Sequence, residues 1–127
     1  MPKPKRILIV DDEESIQKVV SLSLKLEANW ESLSASSGKE GIHQAEVHCP
    51  DAILLDVMMP ELDGISTFEA LGKNLNTQAI PVILLTAKTR TAEKRLFQTM
   101  GVAGVITKPF NPLTLASQIA KLLNWTM

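Results

Sequence analysis

Five residues in this chain combine a chemically useful side chain with one local setting, the end of a short, mostly apolar run. Asp11 and Asp12 follow Ile7-Leu8-Ile9-Val10, Asp56 follows Ala52-Ile53-Leu54-Leu55, Thr86 follows Pro81-Val82-Ile83-Leu84-Leu85, and Lys108 follows Gly104-Val105-Ile106-Thr107. Three carboxylates gathered in one place are costly unless a cation shares the site or some of the acids stay protonated. Oxygen ligands without His or Cys select Mg²⁺ or a similar hard cation, which keeps several waters and uses one or two carboxylates together with phosphate oxygens. Asp12 and Asp56 are the expected direct ligands, with Asp11 holding a metal-bound water. Lys108 adds a compact positive charge that can pair with a carboxylate at rest and with phosphate oxygens after transfer. Thr86 adds a hydroxyl donor. A metal, an ammonium and a hydroxyl together could neutralise the three equatorial oxygens of a phosphoryl group in transfer. The nucleophile would be Asp56, whose attack on phosphorus yields an acyl phosphate.

The elements that must position these residues alternate along the chain. The apolar runs read as strands covered on both faces, as in parallel sheets flanked by helices. Between them, helical spacing predicts helices over Glu13–Glu27, Lys39–Val47, about Ile65–Lys73, Thr91–Met100 and Pro112–Leu123. Trp30–Ala35 is a weaker strand candidate, Ser36-Ser37-Gly38 is turn chemistry, and Pro60, Asp63 and Gly64 mark a loop. Five such repeats predict an α/β fold built on an open, mostly parallel sheet with right-handed crossovers. In that architecture the functional crevice lies outside the carboxyl ends of the strands, where the five residues fall.

Composition sets the bounds. With 127 residues, 45% hydrophobic and 21% charged, the chain suits one globular domain with a real core. A formal net charge of −1 disfavours direct nucleic-acid binding and adsorption to anionic lipid. Cys49 stands alone, without metal-ligand spacing, and is expected to be a small buried filler before Pro50. No run reaches membrane-spanning or signal-peptide length, so no membrane insertion and a cytoplasmic location are expected. Residues 1–5 read as a flexible basic N-terminus, 6–124 as the domain and 125–127 as a short tail.

Leu8-Ile9-Val10-Asp11-Asp12-Glu13, Leu54-Leu55-Asp56-Val57-Met58-Met59-Pro60, Asp63-Gly64, Thr86-Ala87 and Thr107-Lys108-Pro109-Phe110 resemble, in order and spacing, the motifs of bacterial response-regulator receiver domains of the single-domain, CheY-like type. The resemblance runs from Arg6 to about Leu123. It implies a flavodoxin-like, doubly wound five-stranded parallel sheet, strand order 2-1-3-4-5, with helices on both faces. It also implies that Asp56 is the phosphoacceptor, that Asp11 and Asp12 form the acidic pocket, and that the Met58 backbone carbonyl helps ligate Mg²⁺. Thr86 would be the switch hydroxyl, Lys108 the phosphate-contacting lysine, and the peptide before Pro109 cis. The implied activity is that of a two-component phosphorelay switch rather than a turnover enzyme, with slow autodephosphorylation. Its donor would be a sensor histidine kinase or a histidine phosphotransfer protein. Its target would be a downstream protein met by the surface of the fourth helix, fifth strand and fifth helix, and pairing into a homodimer is compatible with the family. The sequence departs from the family pattern at Val105, where an aromatic residue is usual, and at Ala103-Gly104, which is less acidic than in many relatives.

Other readings compete with this one. Alone, Asp11-Asp12-Glu13 would be a cap with acids in a first helical turn. Aspartyl phosphatases carry a second acid two residues after the nucleophile, where this chain has Met58. A nucleotide-binding module needs a glycine-rich turn after the first strand, where this chain has Asp11-Asp12-Glu13-Glu14. A non-phosphorylated scaffold pseudo-receiver conflicts with the presence of all five site residues. His43 and His48 are expected at the surface. Trp30, Phe68, Phe97 and Phe110 are expected in packing, Trp125 is a candidate anchor for a partner, and Lys88, Arg90, Lys94 and Arg95 form a solvated basic stretch. With no output domain after Met127, action is expected through surface contacts or phosphate shuttling.

Overall fold

The computed structural model describes residues 3–58, 64–87, 95 and 97–126. Met59, Pro60, Asp63, Lys88, Arg90, Lys94 and half of the expected helix over Thr91–Met100 lie outside the described residues, although 95 and 97–99 are helical. In chain order the elements are β1 Arg6–Val10, α1 Glu14–Ala28, β2 Glu31–Ala35, α2 Gly38–His48, β3 Ala52–Asp56, α3 Gly64–Lys73, β4 Val82–Ala87, β5 Gly104–Lys108 and α4 Leu115–Leu123. All strand pairs are parallel, in the order β2-β1-β3-β4-β5. The expected sheet and strand order are therefore observed.

Period-two geometry splits each apolar run between two cores. Ile7, Ile9, Leu54, Ile83 and Leu85 pack with Val20 and Leu24 of α1 and Leu115 and Ile119 of α4. Leu8, Val10, Ile53, Leu55, Val82 and Leu84 pack on the other face with Ala45 of α2, Leu71 of α3 and Phe97. Burial on both faces is why these strands read as continuous hydrophobic runs. Edge strand β2 has only Ala35 fully buried, which explains its weaker sequence signal.

Helix ends show local chemistry. Ser37 caps α2, its hydroxyl accepting from the Glu40 amide at 3.1 Å while Glu40 accepts from the Ser36 amide at 3.2 Å. Cys49 ends α2 in the left-handed region at φ 45° and is exposed, not the expected buried filler, because this C-cap conformation turns its side chain outward. The last helix starts at Leu115 rather than Pro112, since Asn111 Oδ1 accepts from the Leu113 amide at 3.0 Å and holds a turn before it. Its cap comes from α1: the Glu27 carboxylate accepts from the Ala116 amide at 2.8 Å, the Ser117 amide at 3.2 Å and the Ser117 hydroxyl.

Trp125 packs edge-on against Trp30 with centroids 5.5 Å apart, and Lys5 Nζ stands 4.6 Å from its ring. The Glu31 amide also donates to the Lys5 carbonyl at 2.8 Å. Lys5 and Trp125 thus pack together at one end of the sheet, and Trp125, a candidate anchor for a partner, lies partly buried against the chain's own core. No helix among the described residues is long and apolar enough to cross a membrane.

Candidate functional site

Strand register assembles the site. Val10 pairs with Leu55, Asp56 with Leu85, Thr86 with Thr107 and Ala87 with Lys108, so the carboxyl ends of four neighbouring strands finish side by side. Asp56, Thr86 and Lys108 lie inside the strand ends rather than after them, and Asp11 and Asp12 leave β1 directly.

Asp11 and Asp56 are buried, at 0% and 2% exposure, whereas Asp12 is exposed. One carboxylate oxygen from each of the three lies within 4.8 Å of the others. Lys108 Nζ lies 3.2 Å from Asp11 Oδ2 and 3.5 Å from Asp56 Oδ1. Asp56 Oδ1 also accepts from the Met58 amide at 3.1 Å, and Asp11 Oδ1 from the Glu13 amide at 2.9 Å. A cluster of two buried acids, one exposed acid and one amine is one positive charge short of balance even after the exposed acid is discounted. That deficit and the all-oxygen donor set fit a hard divalent cation, with Asp12 the acid most open to it.

The electrostatics follow from this crowding. Burial pushes the Asp56 carboxyl above its ordinary range, and Asp11 and Asp12 push the same way, against the Met58 amide and Lys108. For Lys108, burial works against the ammonium, but Asp11 and Asp56 together outweigh it and hold its pKa above the usual lysine value. The amine therefore stays charged at neutral pH.

Thr86 is buried at the end of β4, with its hydroxyl donating to the Ala87 carbonyl at 3.1 Å, and among the described residues it makes no bond to Asp56 or Lys108. Val105 pairs with Leu84 and packs on the core face that holds Phe97. With Gln98, Val102, Ala103, Gly104 and Leu122 it lines an open apolar pocket of about 320 Å³. The Lys108–Pro109 peptide is cis. His43 and His48 are exposed, away from the cluster.

Two contributors were not foreseen from sequence. Met58 contributes its amide, which donates to Asp56, and a backbone donor leaves no trace in residue type. Gly64, read as a loop marker and as part of the Asp63-Gly64 motif but given no role in the site, starts α3 directly against β3: a Cβ there would meet the Asp56 carbonyl oxygen and come within 2.6 Å of the Val57 Cα. Its amide donates to the Val57 carbonyl at 3.1 Å. A glycine eight residues after a strand-ending acid could have been read as a close backbone approach.

Comparison with known proteins agrees with this architecture. The chain is similar to the alkaline phosphatase synthesis transcriptional regulatory protein PhoP of Bacillus subtilis, with 38% identity over 94% of this chain and 48% of that protein. It is 36% identical to the response regulator GtcR of Aneurinibacillus migulanus over 91% of this chain and 46% of that one. The chain thus spans about half the length of the curated relatives it matches. Among solved structures, the chemotaxis protein CheY4 of Vibrio cholerae superposes with a TM-score of 0.86 at 30% identity, covering 94% of this chain and 99% of that one. The receiver domain of the Francisella response regulator 1452 gives 0.84 at 29% identity, covering 94% and 97%. Residues 7–120 match the response regulator receiver domain, and with the parallel sheet and acidic strand ends described above, the chain belongs to that family of two-component signalling domains.

Proposed function

We propose that the chain is a phosphorylation switch that accepts a phosphoryl group on Asp56 from a phosphohistidine donor. The observation that carries this reading is the Lys108 ammonium, bound to Asp11 and within 3.5 Å of Asp56, beside an exposed Asp12. An Asp56 carboxylate oxygen attacks the donor phosphorus. A P–O bond forms as the donor P–N bond breaks, and the imidazole nitrogen keeps the electron pair and takes a proton. Asp11, Asp12, Asp56 and the Met58 carbonyl would hold Mg²⁺. The ion would supply positive charge to the phosphoryl oxygens and offset the like charges of the pocket. Lys108 moves its pairing from Asp56 to a phosphate oxygen, and Thr86 exchanges its Ala87 carbonyl for another, relaying the change to the surface that carries Val105.

The donor is a sensor histidine kinase or histidine phosphotransfer protein in the cytoplasm. The reader is another protein, and the reading assigns the chain itself no nucleic-acid contact, no membrane insertion and no catalytic turnover beyond slow loss of its own phosphoryl group. PhoP carries the name of a transcriptional regulator, but this chain matches only 48% of it. The test is incubation with Mg²⁺ and a small phosphodonor, followed by intact-mass measurement. One added phosphoryl group in the wild type and none in Asp56→Asn is expected. Equal labelling of the mutant would overturn the assignment.

A further inference from the structure

We propose that Gln17, on α1, is a positioning residue that holds the acidic pocket in shape from behind. Its Nε2 donates to the Asp11 carbonyl at 2.7 Å and stands 3.3 Å from the Ala35 carbonyl and 3.2 Å from the Ser36 hydroxyl. One side-chain amide therefore ties the turn after β1, the end of β2 and the turn before α2 to the first helix. The Asp11 amide donates to the same Ala35 carbonyl at 3.0 Å.

With Gln17 in place, every polar group of Asp11 is engaged. The amide goes to Ala35, the carbonyl takes Gln17, Oδ1 takes the Glu13 amide, and Oδ2 takes Lys108. Asp11 is fully buried, so none of these bonds is replaced by water at no cost. Asp12 shows none of this support among the described residues: it is exposed, between the hydrogen-bonded backbones of Asp11 and Glu13. Fixing the Asp11 carbonyl therefore fixes both the Lys108 bridge and the aim of Asp12. Asn or Asp at this position would be too short to span all three acceptors, and an apolar residue would leave two carbonyls with one donor fewer.

The inference rests on the reading of this pocket as a Mg²⁺ site, and the experiment separates the two. Gln17→Met keeps the length and removes the donor; Gln17→Glu keeps the shape, removes the donor and adds a negative charge. Two quantities are measured on the full chain: the Mg²⁺ dissociation constant by calorimetry, and amide hydrogen exchange at Asp11 and Glu13 in metal-free buffer, relative to amides in α4. Both variants are expected to weaken Mg²⁺ binding by about tenfold, in the range for loss of an outer-sphere partner, and to speed exchange at Asp11 and Glu13 while leaving α4 unchanged.

Weakening by Gln17→Glu is the decisive sign, because an added negative charge acting only through its field would tighten cation binding. Unchanged or tighter binding in Gln17→Glu, or exchange that rises equally in α4, would overturn the proposal. If the wild type shows no Mg²⁺ binding, the metal reading fails, and local exchange at Asp11 and Glu13 alone then decides whether Gln17 holds the pocket.

Discussion

Lys108 reaches across two strands of the sheet: its amine stands 3.2 Å from Asp11, which leaves β1, and 3.5 Å from Asp56, which ends β3. The lysine is a fifth exposed and the two acids are almost fully buried, so the three groups share a low-dielectric pocket. Lys108→Met is expected to lower stability at neutral pH by about 2 kcal/mol, because it leaves buried acids without their counter-charge. It is also expected to slow phosphoryl acceptance from a small donor. Chemical denaturation and intact-mass time courses measure the two effects. A variant as stable and as reactive as the wild type would show that the bridge serves neither purpose.

Asp56 is a liability for the metal-free fold. Its pKa is raised by burial, so between the ordinary 3.8 and the higher folded value the native state holds more proton than the unfolded chain. By linkage, its contribution to stability falls as pH rises through that window and stays unfavourable at neutral pH. Asp56→Asn should therefore raise the melting temperature by a few degrees at pH 7 in EDTA, with the gap closing as pH falls through that window toward about 4. Added Mg²⁺ should stabilise the wild type more than the variant. A variant that melts below the wild type at pH 7 would contradict this assignment of strain.

Gly64 seats α3 directly against the end of β3, the strand that carries Asp56. A methyl group there has no room between the Asp56 carbonyl and Val57, both of which are backbone and cannot swing aside. Gly64→Ala is expected to cost about 2 to 3 kcal/mol and to reduce phosphoryl acceptance at Asp56 by displacing the end of β3. Gly72→Ala, where the added carbon meets nothing, is the control and should be neutral or slightly stabilising. Equal effects of the two substitutions in denaturant melts would refute the contact.

Thr86 and Val105 divide the proposed relay unequally. Thr86 has a hydroxyl now spent on the Ala87 carbonyl and free to change partner, whereas Val105 is a half-buried aliphatic residue with no ring to alternate between rotamers. Thr86→Ala should largely uncouple phosphorylation from partner binding. Val105→Ala should change that coupling by less than about 1 kcal/mol, at the low end of typical couplings. Partner affinity with and without an acyl-phosphate mimic, measured for each variant, is the readout. Strong uncoupling in Val105→Ala with Thr86→Ala unaffected would reverse the order of the relay.

The sequence by itself determined the sheet and the acids. Strands buried on both faces must be apolar at every position, so runs such as Ile7–Val10 and Ala52–Leu55 announced a parallel sheet, and the polar residue ending each run marked the crevice. Residue type, position at the end of such a run and joint occurrence carried Asp11, Asp12, Asp56, Thr86 and Lys108 as candidates. Tertiary structure decided what depends on how segments meet in space: the Lys108 bridge, the lack of space at Gly64, the grip of Gln17 on Ala35 and Ser36 and the cap that Glu27 gives α4. Cys49 and Trp125 show the same limit. A cysteine's burial depends on the turn that ends its helix, and a terminal tryptophan's on whether another ring, here Trp30, waits within reach. Hydrophobic period is local and survives in sequence, whereas a contact made across 90 residues is set by how helices dock on the sheet, and no single residue records it.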